Sequence, residues 1–108
     1  MGLLDSKQPV EARTVLEQAV KADPFSARAQ FALARAMHEL GDLFHAISAY
    51  ERAVELRPNL FQALRALAGL YEQKGFRRKA AEALERALHA APDVTTREAL
   101  RARLIKLL

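Results

Sequence analysis

The chain has 108 residues, enough for one compact domain, and its 51% hydrophobic and 28% charged content excludes a disordered chain. The absence of cysteine excludes disulfides, thiolate metal sites and cysteine nucleophiles, and no apolar run approaches the roughly 18 residues of a membrane span. Charge is uneven within the net +4: residues 1–54 hold 6 Lys+Arg against 7 Asp+Glu (−1), and residues 55–108 hold 11 against 6 (+5).

Alanine (22) and leucine (17) supply over a third of the chain while Gly and Pro number four each, a bias toward an all-α fold. The start, Met1-Gly2-Leu3-Leu4-Asp5, has neither the basic region nor the apolar stretch of a secretory signal, so the chain is read as cytoplasmic. Leu3 and Leu4 supply at most a short helical remnant. A first helix is expected over 9–22, with Pro9 at the tolerated first helical position. Residues 26–40 place Leu33, Ala34, Met37 and Leu40 at helical spacing, and 60–74 do the same with Leu64, Leu67, Ala68 and Tyr71. Gly41 and Gly75 end those helices, and Asp42 is expected to cap a helix over 43–56. A further helix is expected over 77–90. Arg57-Pro58 and Ala91-Pro92 close the pairs, because the residue before proline is pushed out of helical geometry. Thr95 and Glu98 read as a capping box opening a last helix that ends near 107.

A fixed period runs beneath these elements. Pro24, Pro58 and Pro92 are 34 residues apart, as are Gly41 and Gly75, the alanines 12, 46 and 80, and the alanines 19, 53 and 87. Leu16, Tyr50 and Leu84 keep the same interval with large apolar side chains. Such a period marks a stacked array of helical hairpins, none of which buries its apolar face alone.

The residues Gln30, Leu33, Ala34, Met37, Ala46, Tyr50 and Pro58, repeated as Leu64, Leu67, Ala68, Tyr71, Ala80, Leu84 and Pro92, make the chain resemble the tetratricopeptide repeat family. It departs from the family pattern at Gln30 and Leu64 (often Trp), at Ala34 and Ala68 (Gly) and at Met37 (Tyr), all compatible in size. The resemblance implies an all-α, right-handed superhelical α-α hairpin repeat array. The expected single domain, 1–108, then holds a half-repeat second helix at 9–22, repeats at 27–60 and 61–94, and a C-terminal capping helix at 95–107. Glu98 and Arg101 stand where earlier first helices carry framework residues, so the C-terminus is expected to be a natural stop. The N-terminal half-repeat leaves Val15, Leu16 and Val20 at risk of an uncovered apolar face, implying a longer array or a covering molecule.

In that family the first helices line a concave groove that holds a peptide. Carried over, the groove positions are Arg28, Phe31, Ala32, Arg35, His38 and Glu39 in one repeat, and Gln62, Arg65, Ala66, Gly69, Glu72 and Gln73 in the next. The last helix adds Thr96, Leu100, Arg103 and Lys106. The resemblance therefore implies a non-catalytic adaptor whose partner is a protein or peptide. Arg28, Arg35 and Arg65 suit carboxylates through charge-assisted bonds, making that partner acidic, and Phe31 offers an apolar anchor. The family's clamp for chaperone C-termini needs Lys and Asn where this chain has Phe31, Arg35, Ala66, Thr96 and Leu100, so that mode is not expected.

Chemistry is sparse. The three histidines are scattered, and His38-Glu39 meets Asp42 where a zinc-protease motif needs its second histidine, so no metal or other cofactor is expected. Neither a nucleophile elbow nor a phosphate loop is present, so the chain is not expected to be an enzyme. Nucleic acid is an unlikely partner: the run Arg77-Arg78-Lys79, with Arg97, Arg101, Arg103 and Lys106, lacks interleaved aromatics for stacking. A membrane is unlikely too, since Leu100, Leu104, Ile105, Leu107 and Leu108 are explained by an end helix docked on residues 77–90. Self-association as a homo-oligomer through Val15, Leu16 and Val20 is the remaining alternative.

Overall fold

A computed structural model describes the backbone of residues 2–108 and the side chains of residues 9–108. Among the described residues six helices follow one another: α1 (Gly2–Ala22), α2 (Ala27–Glu39), α3 (Leu43–Leu56), α4 (Phe61–Lys74), α5 (Arg77–Ala90) and α6 (Val94–Leu107). They form two compact units, Met1–Arg57 and Pro58–Leu108. In the first, α2 packs against both α1 and α3; in the second, α5 packs against both α4 and α6.

The helix ends follow from local chemistry. Ser26 caps α2 by accepting the Ala29 N–H at 3.1 Å, and Asp23 accepts the Phe25 N–H at 3.1 Å in the turn before it. Gly41 and Gly75 both adopt φ 81°, a left-handed conformation that costs glycine little. Around them Gly41 N–H reaches the His38 carbonyl (3.0 Å) and Asp42 N–H the Met37 carbonyl (2.9 Å). Gly75 to Glu72 (3.1 Å) and Phe76 to Tyr71 (2.8 Å) repeat the pattern, so both first helices end in the same double-bonded glycine turn.

The register of the repeat is the register of burial. In unit one, Leu33, Ala34 and Met37 of α2 meet Ala46, Tyr50 and Ala53 of α3, all 7% exposed or less. In unit two, Leu64, Leu67, Ala68 and Tyr71 of α4 meet Ala80, Leu84 and Ala87 of α5, again at 7% or less. Alanine at the crossing lets two helices approach closely, and the leucines fill the space beside it.

Three local expectations change. α1 starts at Gly2, not at Pro9, which lies inside the helix. Proline removes a hydrogen bond from the ladder and its ring crowds the preceding turn, yet the residues before it, mostly good helix formers, extend the helix upstream. α6 is capped by Asp93, whose carboxylate accepts the Thr96 N–H at 2.7 Å, so the helix begins at Val94 and Thr95 is already inside it. A charged acceptor outcompetes the threonine hydroxyl as a cap, and Glu98 instead faces Arg101 at 3.8 Å. Asp42 holds the cap position of α3, but its carboxylate makes no cap bond and turns to His45.

Candidate functional site

α2 carries four of the expected binding residues along one stripe, because Arg28, Phe31, Arg35 and His38 recur at helical spacing. Two of them, Phe31 and His38, converge on one side chain of α3. Phe31, half-buried, tilts against the Tyr50 ring with centroids 5.7 Å apart, and His38 meets that ring edge-on at 6.3 Å. The Arg35 guanidinium lies over the outer face of Phe31, 6.0 Å from its centroid. Tyr50 itself is 2% exposed, and burial, with Glu39 adding to it and Arg35 opposing, holds its phenol above the ordinary value. The result is a small aromatic floor with a cation laid over it. Arg28 is exposed in the first turn.

α4 and α6 carry the rest. The Arg65 guanidinium sits over the Phe61 ring at 5.6 Å, one turn back on its own helix. Gln62 and Gln73 are exposed. At Gly69 an added Cβ would meet nothing within 4 Å, so the glycine leaves open space above the helix. Glu72 and Arg103 are brought together: they form an ion pair joining α4 to α6. Arg103 is thus partly neutralised within the chain. Leu100, also carried into the groove by the register, is 3% exposed and serves as the buried anchor of α6.

Val15 on α1 is 63% exposed, while Leu16 and Val20 are half-buried. Val20 joins Glu17, Lys21, Leu33 and Met37 around an open cleft of about 410 Å³ between α1 and α2. A second cleft of about 260 Å³ lies between the same helices, lined by Pro9, Ala12, Ala32, Arg35, Ala36 and Glu39. Nearby, Asp42 receives the His45 imidazole N–H at 2.8 Å and the Arg13 guanidinium at 3.3 Å, and Arg13 also pairs with Glu17 at 3.3 Å. The His45 hydrogen bond, helped by Arg13, keeps the Asp42 carboxyl below its usual range. In the basic run, the Lys79 ammonium lies 5.8 Å from the Tyr71 ring centroid and 5.9 Å from that of Phe76.

Reading the residues did not single out Tyr50 or Phe61 as parts of the site. The signal was present for Phe61, since Phe61–Arg65 and Phe31–Arg35 share the i,i+4 spacing that stacks a cation on a ring. Tyr50 was seen only as a framework position.

Two family models, both described as tetratricopeptide repeat, match residues 2–61 and 63–98. Among solved structures, the type III secretion translocator chaperone SycD of Yersinia enterocolitica superposes with a TM-score of 0.83 at 16% identity, covering 98% of this chain and 76% of SycD. MamA gives 0.79 at 26% identity, over 96% of this chain and 67% of its own. PcrH, solved with the chaperone binding region of PopD, gives 0.78 at 20%, over 98% and 83%. No curated protein matches the chain by sequence.

Proposed function

This chain belongs to the tetratricopeptide repeat family, and on that premise we propose that it is a non-catalytic adaptor that holds an acidic peptide segment of another protein. The observation that carries the reading is the cluster on unit one: Phe31 half-exposed on Tyr50, with Arg35 over its face and His38 at the Tyr50 edge. An aromatic floor offers a partner apolar contact, and the guanidinium beside it offers a carboxylate a charge-assisted bond. Arg28 stands on the same stripe of unit one, and unit two has a cation on a ring of its own, Arg65 on Phe61. In unit two Gln62, Gly69, Gln73 and the Glu72–Arg103 pair accompany Arg65, Gly69 permitting close approach of a partner's backbone.

Proteins of the same fold support this mode. PcrH has been solved with the chaperone binding region of PopD, and SycD with a peptide of the translocator YopD.

The test is affinity capture from the native cell extract with the intact chain as bait, beside an Arg35→Glu, Arg65→Glu double variant. A partner kept by the parent should bind the double variant at least about a hundredfold more weakly, since each of the two lost charged hydrogen bonds is worth about 1.5–3 kcal/mol. Equal affinity for both proteins removes the arginines from the site.

A further inference from the structure

The two glycine turns of the chain share a backbone and differ in chemistry. Gly41 and Gly75 both sit at φ 81°, and the Asp42 N–H bond to the Met37 carbonyl (2.9 Å) matches that of Phe76 N–H to Tyr71 (2.8 Å). Asp42-Leu43-Phe44-His45 stands in the register of Phe76-Arg77-Arg78-Lys79, and each run leads to an alanine that is 0% exposed, Ala46 or Ala80. The turn therefore accepts either set, and the fold does not require three cations in the second. It works against them, because they lie in the first turn of α5, at the positive end of the helix dipole. Residues Gln73 to Ala81 include four cations and no acidic side chain. Glu72, just before them, is tied to Arg103, and among the described residues no carboxylate pairs with Arg77, Arg78 or Lys79.

Apolar surface accompanies this charge. The Phe76 ring, 43% exposed, tilts against Tyr71 with centroids 6.3 Å apart, and the Lys79 ammonium lies near both rings. Resting on rings leaves an ammonium its charge and its N–H donors. Phe76, Arg77, Arg78 and Lys79 together line an open hollow of about 360 Å³. α5 already packs on α4 and on α6, so these residues lack counter-charge rather than another helix.

We propose that the α4–α5 turn docks an acidic segment of a partner protein, one that carries a large apolar side chain among its carboxylates. The apolar side chain enters the hollow against Phe76, and the carboxylates beside it take the Arg77 and Arg78 guanidiniums, whose planar forks suit bidentate pairing. The charge match selects such a segment over a neutral or basic one. A nucleic-acid strand fits less well, because successive bases need successive exposed rings and Tyr71, beside Phe76, is buried. A bilayer fits less well too, because the four residues line a hollow. The site lies within unit two, uses no residue of the Phe31–Tyr50 cluster, and does not rest on the acidic-peptide reading of that cluster.

The probe is a capped peptide of sequence Glu-Glu-Phe-Glu-Glu, titrated to millimolar concentration at low salt into the isotopically labelled intact chain. The amides of Phe76, Arg77, Arg78 and Lys79 are expected to shift together. A peptide with glycine in place of its phenylalanine should bind there at least about threefold more weakly. Arg77→Gln with Arg78→Gln should weaken the parent peptide at this site at least about tenfold. So should Phe76→Asp, Arg77→Leu, Arg78→Phe and Lys79→His together, which give the second turn the residues that the first already folds with. If that fourfold variant loses its helical circular dichroism, the glutamine pair decides. The shifts should persist in the Arg35→Glu, Arg65→Glu variant, which makes failure here distinct from failure of the acidic-peptide reading. Three results overturn the docking point: no shift at these four residues, undiminished affinity in the glutamine pair, or equal binding of the glycine peptide. Stronger engagement of the same turn by an oligothymidylate octamer or by phosphatidylserine vesicles overturns it too, in favour of a nucleic-acid strand or a membrane surface.

Discussion

Asp93 and Tyr50 carry distinct and separately measurable roles. The Asp93 carboxylate, held below its ordinary range by the Thr96 N–H it accepts, caps α6. Asp93→Ala should lower the urea midpoint, and Thr95→Ala should leave it nearly unchanged; the reverse order would restore the capping box expected at Thr95. A carboxyl whose folded pKa is depressed contributes stability above its unfolded value and loses it as pH falls through the folded one. The gap between parent and Asp93→Ala should therefore narrow in acid, below about pH 4. Tyr50 has the opposite sign. Its phenol is raised, so its contribution is complete below the ordinary tyrosine range and is lost as pH rises through the folded value. Followed by tyrosinate absorbance, Tyr50 should ionise later in the folded chain than in urea, and a coincident titration would mean its ring is open to solvent. The sequence placed Asp42 correctly at a helix start, yet not the orientation of its carboxylate. The competing partners, His45 three residues on and Arg13 from another helix, act on side-chain geometry that spacing alone does not set.

At the scale of elements, the glycines divide by their place in the helices. Gly75 sits at φ 81°, where a Cβ is strained, and Gly75→Ala should cost about 1 kcal/mol. Gly69 lies inside α4 with open space where a Cβ would go, so Gly69→Ala should add roughly 0.5–1 kcal/mol of stability. If the partner approaches Gly69 closely, that same variant binds less well while melting higher; chemical denaturation and partner affinity measured on one sample separate the two effects. Gly41 shares the turn of Gly75. The helices from α2 to α6 were legible to within a residue or two because apolar periodicity, glycine stops and prolines agreed on each boundary. α1 was not, because a proline that can start a helix also occurs within one, where the surrounding helix formers offset the bond it removes and the crowding of its ring on the preceding turn.

For the molecule as a whole, the 34-residue period fixed which side chains are buried, and Leu84 is the sharpest case. Completely enclosed among the α4 and α5 residues, it should cost about 2–5 kcal/mol as Leu84→Ala, read from the urea unfolding curve. A loss under about 1 kcal/mol would mean the repeat core is not packed as described. The binding surface was legible only as a register. That Arg35, Phe31, Tyr50 and His38 meet as one cluster depends on how α2 crosses α3, and that Arg103 is tied to Glu72 depends on how α6 returns toward α4. A one-dimensional period carries neither crossing. Within each unit every helix packs on the one before it in the chain, and this has a consequence for biogenesis. As the polypeptide leaves the ribosome, each helix after the first of its unit finds a packing neighbour already made, so apolar surface is shielded soon after it emerges.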